Sequence, residues 1–364
     1  MEVENPNSAN APPSAFPMAK GDGEDSYSKN SQFQAFLSKV PTAALDEALE
    51  KVTLSSGTGP LRVADMGSSS GPNTIATVAY IVDNLRHRLP ESVEFQGYFN
   101  DTPSNDFNNL FQLLSSDSRA RTFYAAGAPG SFYGRIFPRS SIHVFHSASA
   151  LHWLSKIPDG IVDKKSPAYN GSQPWYQHSK SAVAKSYQQQ ALLDLQKFFT
   201  ARAAEMVSGG LLFLLMNASE TSKPEEIEDG LAYNTHTDFA EILSGLVAEG
   251  LVTEEQYSTF NIPVYHRSSQ DIMEALKCCC SAFTVEIMKV HKIDFKEAFA
   301  GADATALPRK LSGFFKGVTN PLIEGHFGMD VAQVFWQRHE KLMEKKAGTR
   351  PEILKILIIS LIRN

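Results

Sequence analysis

Two carboxylates stand at the ends of two successive apolar segments of this sequence. Asp65 ends the run LRVADM (61–66), two residues before Gly67, and Asp101 ends VEFQGYFND (93–101). A carboxylate at the first position repels a pyrophosphate and suits an α-amino group. A carboxylate at the second position can accept hydrogen bonds from two ribose hydroxyls. The pair predicts a ligand that joins an amino acid to a nucleoside without phosphates, and S-adenosylmethionine is such a ligand.

The residues after Asp65 predict a binding loop that leads into a helix. Gly67 and Gly71 would let the backbone pass close to a ligand, and a helix beginning near Asn73 would offer free N–H groups. The dinucleotide pattern GxGxxG is absent, and no Gly-Lys-Ser/Thr follows as in a phosphate-binding loop. These absences count against a nicotinamide-dependent oxidoreductase on the same fold. A catalytically silent cofactor-binding protein remains a second alternative.

Hydrophobic periodicity predicts the elements that must position these residues. Helical spacing predicts helices over 41–53, 73–89, 187–207 and 238–256. Apolar runs predict strands at 61–66, 93–101, 140–149, 210–217, 282–291 and 353–363. Strands that alternate with helices indicate an α/β fold, with a mostly parallel sheet between two layers of helices. Such sheets bind ligands at the carboxyl ends of their strands.

The long segments between the predicted strands indicate a helical cap over the ligand end of the sheet. Residues 1–17 have little to bury and are predicted to be a disordered tail. The predicted division assigns 18–150 to the cofactor-binding core, 151–205 and 219–281 to cap helices, 206–218 to a core strand, and 282–364 to the completion of the core. A further cap insertion is expected at about 292–350.

Composition restricts the partners and the compartment. The net charge of −6 over 364 residues, with acids and bases interspersed, leaves no basic face for nucleic acid. The apolar runs are shorter than the roughly 20 residues of a membrane-spanning helix, and no signal peptide is visible. We therefore expect no membrane association and a cytoplasmic protein. The three cysteines, Cys278, Cys279 and Cys280, are adjacent and predict neither a metal site nor a disulfide framework.

Longer motifs give this chain a specific family resemblance. It resembles the plant SABATH methyltransferases, the family that acts in salicylate, benzoate, jasmonate, indole-acetate and caffeine pathways, from residue 18 to residue 364. The motifs that carry the resemblance are SYSKNSQFQ (26–34), DMGSSSGPN (65–73), FNDTPSNDFNNLF (99–111), PGSFYGRIFP (129–138), HSASALHWLSKIP (146–158), YNG (169–171), FNIPVY (260–265) and SLIRN (360–364).

The resemblance implies a class I methyltransferase fold with a Rossmann-like sheet and a helical cap, a homodimer, and methyl transfer from S-adenosylmethionine. Most members act on small carboxylic acids and some on purine nitrogens. The motifs place the cofactor at Tyr27, Ser68, Asn73, Asp101, Thr102, Ser131 and Phe132, in addition to Asp65 and Gly67. They place the acceptor at Gln34, His152 and Trp153, and a magnesium ion described for some members at Asn170, Phe260 and Asn261.

The chain departs from the family pattern at several of these positions. Ser68 and Thr102 stand where the family has cysteine and leucine, and Ser149 stands where a tyrosine is typical of the acceptor pocket. Ser258 replaces an aspartate that would be a metal ligand. Magnesium prefers carboxylates and water, so the remaining neutral oxygens do not predict a firm metal site. In the cap, Thr235 and His236 replace an aliphatic residue and a tryptophan and would make one pocket wall more polar.

The predicted reaction needs alignment and no general base. A carboxylic acid with a pKa near 4 is already ionised at neutral pH. His152 and Gln34 can each donate one hydrogen bond to a carboxylate, and Trp153 can close one face of an aromatic acid. Without the flanking motif, His152 would be interpreted as a core histidine. Aromatic acids of the salicylate, benzoate or cinnamate type are the first choice of acceptor; indole-acetate, jasmonate, gibberellins and purine nitrogens are the alternatives.

Overall fold

The structure is a computed structural model that describes residues 18–21, 23, 26–53, 59–177, 179–221, 230–279, 281–299, 306–350 and 352–364. Its centre is a seven-stranded sheet in the order β3-β2-β1-β4-β5-β7-β6. The strands are β1 (Leu61–Met66), β2 (Phe95–Asp101), β3 (Tyr124–Pro129), β4 (Ile142–Ala148), β5 (Met206–Asn217), β6 (Phe283–Asp294) and β7 (Ile353–Arg363). The predicted disordered tail, 1–17, and Cys280 lie outside the described residues.

Strands β1 to β5 are parallel, and β7 runs antiparallel to both of its neighbours. The chain passes from β1 to β2 and β3 on one side and then returns to place β4 on the other side of β1. The strand order therefore reverses at β1, and a ligand crevice forms there outside the carboxyl ends of the strands. This is the α/β, mostly parallel architecture predicted from the sequence.

Helices cover both faces of the sheet. They are α1 (Tyr27–Asn30), α2 (Gln32–Lys39), α3 (Thr42–Glu50), α4 (Pro72–Arg86), α5 (Phe107–Ser116), α6 (Ser181–Glu205), α7 (Leu231–Ala248), α8 (Glu254–Thr259), α9 (Ser269–Leu276), α10 (Leu307–Phe327) and α11 (Met329–Lys346). Pro72 begins α4 at the first helical position, where its missing N–H costs nothing. Among the described residues, none of the helices has the length and apolar composition needed to cross a bilayer.

Alternating residues of the strands send their side chains into two separate cores. Val63 and Phe213 belong to the core under α3 and α4, whereas Ala64, Leu212 and Leu214 belong to the core under α6. This alternation is the period of two that every strand imposes. Strands buried on both faces are apolar throughout, which explains why the sequence predicted β1 and β5 from continuous apolar runs.

Three local features differ from the sequence prediction or add to it. Strand β3 was not predicted, because this edge strand has few large apolar side chains and is mostly exposed. The segment that carries the motif SYSKNSQFQ forms two short helices, α1 and α2, separated at Ser31. Of the predicted cap segment 151–205, only Ser181–Glu205 is helical, and residues 151–177 form turns and loops. Cys278 has a free thiol, in the 3₁₀ turn Lys277–Cys279.

Candidate functional site

A cavity of about 600 Å³ opens where the sheet reverses its strand order. Its walls come from the carboxyl ends of β1, β2 and β4 and from the helices α1, α2, α7 and α10. The predicted site residues that line it are Tyr27, Gln34, Gly67, Asp101, Thr102, Ser131, Phe132, Ser149, His152, Trp153 and Thr235. The fold thus brings together residues that are more than 200 positions apart in the sequence. Asp65, Ser68, Asn73 and His236 are not part of the lining.

Asp101 is the anionic group at the end of the cavity that is predicted to hold the cofactor, called the cofactor end below. Its two carboxylate oxygens accept hydrogen bonds from the backbone N–H groups of Ser69 and Thr102, both at 2.7 Å. Burial raises the pKa of Asp101 above its ordinary value, although these two backbone donors act to lower it. The two bonds fix the carboxylate at the cavity wall and leave each oxygen with acceptor capacity, as a ribose diol requires.

Asp65 lies behind the cavity wall and already has two polar partners. One oxygen faces Nδ1 of His146 at 2.7 Å, and the other accepts a hydrogen bond from the hydroxyl of Thr74. Asp65 is 5% exposed. It therefore joins β1, α4 and β4 beneath the loop, and the direct contact with an α-amino group that the sequence predicts stays a prediction.

The loop between β1 and α4 is held close to β4. Gly67 has a φ of +79°, and a Cβ at this position would lie 2.3 Å from the Cβ of Ala150, so only glycine fits. Ser69, which also has a positive φ of 54°, presents the N–H that binds Asp101. Asn73 donates from its amide to the backbone oxygen of Ser31 at 3.0 Å. Asn73 therefore ties the loop to the segment that carries Tyr27 and Gln34.

Ser68 and Tyr27 differ in their relation to the cavity. Ser68 is buried and donates its hydroxyl to the backbone oxygen of Ser69 at 3.2 Å, away from the lining. The phenol of Tyr27 lines the cavity, and burial raises its pKa above the ordinary value, with the charges of Asp101 and Asp65 adding to the shift. Tyr27 therefore stays a neutral hydroxyl at physiological pH.

A buried ion pair, which the sequence analysis did not identify, holds the loop 131–137 that carries Ser131 and Phe132. Arg202 and Glu205 are fully buried and 2.7 Å apart at the end of α6. Arg202 donates to the backbone oxygens of Phe132 and Gly134, and Glu205 accepts from the N–H groups of Ile136 and Phe137. The sequence signal for this ion pair is two opposite charges three residues apart at the end of the predicted helix over 187–207.

Two polar side chains that line the acceptor end each have an atom without a hydrogen-bond partner. His152 Nδ1 and Gln34 Oε1 are buried and form no hydrogen bond, although both side chains line the cavity. Burial lowers the pKa of His152 well below its ordinary value, and the neighbouring His266 and Arg267 lower it further. His152 is therefore neutral and can supply one N–H donor. Buried polar groups without partners are rare in folded proteins and mark positions that a ligand satisfies.

Several aromatic side chains contribute to the wall at this end. They are Trp153, Trp175, Phe33, Phe314 and Phe315. Trp175 and the two phenylalanines of α10 were not predicted, because no motif connected them to the site. Trp153 pairs with Val264 in an isolated β-bridge, and the indole N–H of Trp175 donates to the backbone oxygen of Val264 at 3.1 Å. Both rings are thereby fixed against the same short segment.

The two cap positions that were predicted to make one wall polar, Thr235 and His236, differ in their relation to the cavity. Thr235 lines the cavity, but its hydroxyl donates to the backbone oxygen of Leu231 in its own helix. His236 stacks on Trp175, with ring centroids 3.7 Å apart, and lies behind it. Ser149 lines the cavity with a φ of +54°, a conformation that serine rarely adopts. The wall is therefore less polar than the two cap side chains suggested.

The residues predicted for magnesium do not fit that ion. Asn170 donates to Asn261 Oδ1 at 2.7 Å and accepts from Ser179 at 2.6 Å, so these amide oxygens already accept protein hydrogen bonds. Ser258 donates to the backbone oxygen of Glu255. The described residues contain no cluster of three histidine, cysteine, aspartate or glutamate side chains that could hold a metal. A magnesium ion requires charged oxygen ligands that this site lacks.

Comparisons with known proteins identify the family of this chain. The sequence profile of the family described as SAM dependent carboxyl methyltransferase matches residues 13–364. The chain is 34% identical to gibberellic acid methyltransferase 2 of Arabidopsis thaliana, over 94% of this chain and 91% of that protein. It is 36% identical to indole-3-acetate O-methyltransferase 1 of Arabidopsis thaliana, over 89% and 88%. A solved structure of loganic acid methyltransferase with SAH superimposes with a TM-score of 0.85 at 32% identity, covering 96% of this chain and 99% of that one.

Proposed function

The chain belongs to the S-adenosylmethionine-dependent carboxyl methyltransferase family, and we propose that its acceptor is an aromatic carboxylic acid. The observation that carries this proposal is the pair of buried, unpartnered polar groups on Gln34 and His152 inside an aromatic-walled cavity. Two neutral donors hold a carboxylate without neutralising it. The flat walls suit a planar ring.

The residues of the chain would align the reaction and exclude water. The bound cofactor supplies an electrophilic methyl group. Asp101 would accept hydrogen bonds from its ribose, and the loop at Gly67, packed against Ala150, would form the adjoining wall. The acid is ionised at neutral pH, so its oxygen needs no base. Gln34 and His152 fix which oxygen faces the methyl group. In favourable cases such positioning contributes about 7–11 kcal/mol of the barrier reduction.

The amide of Gln34 must present its NH₂ group for this role. Amide nitrogen and oxygen are nearly isosteric, and the orientation follows from the hydrogen-bond network. With the cavity empty, Gln34 Oε1 has no partner. Rotating the amide by half a turn would direct the donor at a carboxylate. His152 likewise chooses the tautomer that its ligand requires. Both residues can thus adapt to an anion without movement of the backbone.

An acid with a larger, non-planar ring system is the second candidate. The relatives named for gibberellic and loganic acids share about a third of their residues with this chain. The wall includes aliphatic side chains, among them Leu231, Ile262 and Leu354, that would contact a saturated ring. Purine nitrogens are a weaker alternative because a neutral purine would not use two carboxylate donors.

A methylation screen tests the proposal. The purified protein is incubated with radiolabelled S-adenosylmethionine and benzoate, salicylate, cinnamate, indole-3-acetate, jasmonate, gibberellate, loganate and xanthosine. We expect label in an ester with at least one aromatic acid. Label only with gibberellate or loganate would favour the second candidate. Label only with xanthosine would contradict carboxyl transfer, and no label despite cofactor binding would leave a catalytically silent protein.

Two further expectations, one from the resemblance and one from the composition, stay predictions. A homodimer is expected, and sedimentation velocity at several protein concentrations measures it. A cytoplasmic location is expected, and imaging of a fluorescent fusion in plant cells measures that. Neither enters the argument for the acceptor.

A further inference from the structure

Arg267 is a fully buried arginine that the proposed reaction does not use. It has 0% exposure and follows the segment 260–266 that lines the acceptor end. Its Nη1 donates to the backbone oxygen of Leu151 and, at 3.4 Å, to that of Tyr265. Its Nε and Nη2 form no well-aligned hydrogen bond, and the guanidinium lies near the phenol of Tyr133, where it opposes the rise in pKa that burial causes. Within the described chain, none of its hydrogen bonds goes to a carboxylate.

This arrangement is unusual because a buried charge is expensive unless it is paired. Removing an isolated cation from water costs several kcal/mol even after the surroundings relax. Arginine cannot avoid this cost by losing its proton, since its pKa exceeds about 12. A carbonyl oxygen compensates only part of a full positive charge. The site around Arg267 therefore has a surplus positive potential that an anion in the neighbouring cavity would reduce.

The surplus charge lies next to the groups that face the acceptor. Leu151, whose backbone oxygen binds Arg267, immediately precedes His152 in the chain, and His266 immediately precedes Arg267. Both histidines line the cavity. The pKa of each is lowered by burial first and by the charge of Arg267 as well. The two neutral imidazoles therefore separate the guanidinium from the cavity without cancelling its charge.

We propose that Arg267 is a specificity-determining residue that makes the acceptor end select anionic acids over neutral molecules of the same shape. The inference rests on the proposed function, because the carboxylate of the acid is the missing counter-charge. Arg267 does not touch the acid, and it acts through the low-dielectric wall formed by His152 and His266. A neutral amide or purine would leave the guanidinium uncompensated and would bind less tightly.

The test compares acids with their own neutral amides. Calorimetry in the presence of saturating SAH measures the binding of benzoate against benzamide, cinnamate against cinnamamide, and indole-3-acetate against indole-3-acetamide. The amide keeps the ring and the hydrogen-bonding carbonyl but has no charge. For the wild type we expect the acid of at least one pair to bind about tenfold tighter or more.

Three variants separate charge from packing. Arg267→Gln keeps a donor for the backbone of Leu151 and removes the charge, and it should lower the ratio of acid to amide affinity toward one. Arg267→Lys keeps the charge and should retain most of the ratio. Arg338→Met removes one positive charge from a solvent-exposed ion pair with Glu249 and should leave the ratio unchanged. SAH affinity, measured for each protein, shows that the fold and the cofactor end are intact.

The outcomes distinguish this inference from the proposed function. If Arg267→Gln keeps the acid preference of the wild type, or if the wild type prefers no acid over its amide, the inference is overturned. If acids bind in an Arg267-dependent manner but receive no label in the methylation screen, the inference stands and the proposed function fails. If Arg267→Gln loses SAH binding as well, Arg267→Lys decides: retained acid preference supports the inference, and lost preference overturns it.

Discussion

Among the described residues, Arg202 and Arg267 are fully buried arginines that lie outside the cavity lining and differ in their electrostatic surroundings. Arg202 is paired with Glu205 at 2.7 Å and uses its remaining donors on the loop 131–137 of the cofactor end. Arg267 binds backbone oxygens at the acceptor end, and two of its nitrogens form no well-aligned hydrogen bond. The protein thus supplies a counter-charge for Arg202, whereas the hydrogen bonds of Arg267 go to backbone oxygens.

The same difference extends to the neighbouring side chains. At the cofactor end, Asp101 is fixed by two backbone donors. At the acceptor end, Gln34 and His152 each have an atom without a hydrogen-bond partner. A site whose polar groups are already paired is rigid and pre-formed, whereas unpaired groups gain from a ligand that completes them. Asp101 is therefore pre-organised for a ligand, although the hydroxyl of Ser69 beside it has no partner, whereas Gln34 and His152 would gain polar contacts from a ligand.

The largest expected effect concerns the stability of the paired arginine. Arg202→Met should lower the free energy of unfolding by about 3–5 kcal/mol, because it leaves Glu205 buried without a counter-charge. Urea denaturation measures this. Arg267→Gln should cost clearly less, since it removes a charge that has no protein partner. Equal losses for the two variants would show that the electrostatic difference between these arginines has no energetic consequence.

The double variant Arg202→Met/Glu205→Met is the control for that prediction. It removes both charges from the same place, so it should recover much of the stability lost in Arg202→Met. Two backbone N–H groups, those of Ile136 and Phe137, would still lose their acceptor, and recovery should be incomplete.

The next effect is on the pH dependence of stability at the acceptor end. Burial and the charge of Arg267 lower the pKa of His266 to about 4. Because the unfolded state protonates first, near pH 6.5, the contribution of His266 is complete above that pH and is lost as the pH falls toward 4. The loss is at most about 3 kcal/mol. Urea denaturation at pH 7 and pH 4.5 should show a smaller loss for His266→Asn than for the wild type, whereas an identical loss would refute this assignment.

Turnover tests the donors of the acceptor end. His152→Ala should reduce kcat/KM for the accepted acid by about 10- to 150-fold, the value of a hydrogen bond to a charged group of 1.5–3 kcal/mol. The affinity for SAH should stay at the wild-type value, since His152 lies at the other end of the cavity. Steady-state kinetics and calorimetry measure the two quantities. Unchanged turnover would remove His152 from the acceptor site.

The smallest expected effect is on the affinity for SAH at the cofactor end. Asp101→Ala should weaken SAH binding by about 1–3 kcal/mol through loss of the ribose contacts. Its ratio of acid to amide affinity should stay at the wild-type value. Calorimetry on the same pairs of acid and amide measures both. Loss of acid binding with unchanged SAH binding would reverse the assignment of the two ends.

Local pattern was sufficient for much of the fold and part of the site. The strands β1, β5 and β7 and the loop at Gly67 followed from apolar runs and glycine spacing, because these signals are local in the chain. Strand β3 was missed because its residues are small and exposed. The aromatic walls from Trp175 and Phe314 were missed because side chains far apart in sequence meet only after folding.

The sequence by itself determined the residue types that are predicted to recognise a nucleoside and a carboxylate, because the order of strands and motifs places those types at predictable strand ends. Only the tertiary structure decided which polar groups keep partners. Asp65 and Asp101 look alike in sequence. Asp65, however, is hydrogen-bonded to protein groups behind the cavity wall, whereas Asp101 lines the cavity. Burial and pairing depend on neighbours from distant segments, and therefore the difference between Arg202 and Arg267 exists only in the folded chain.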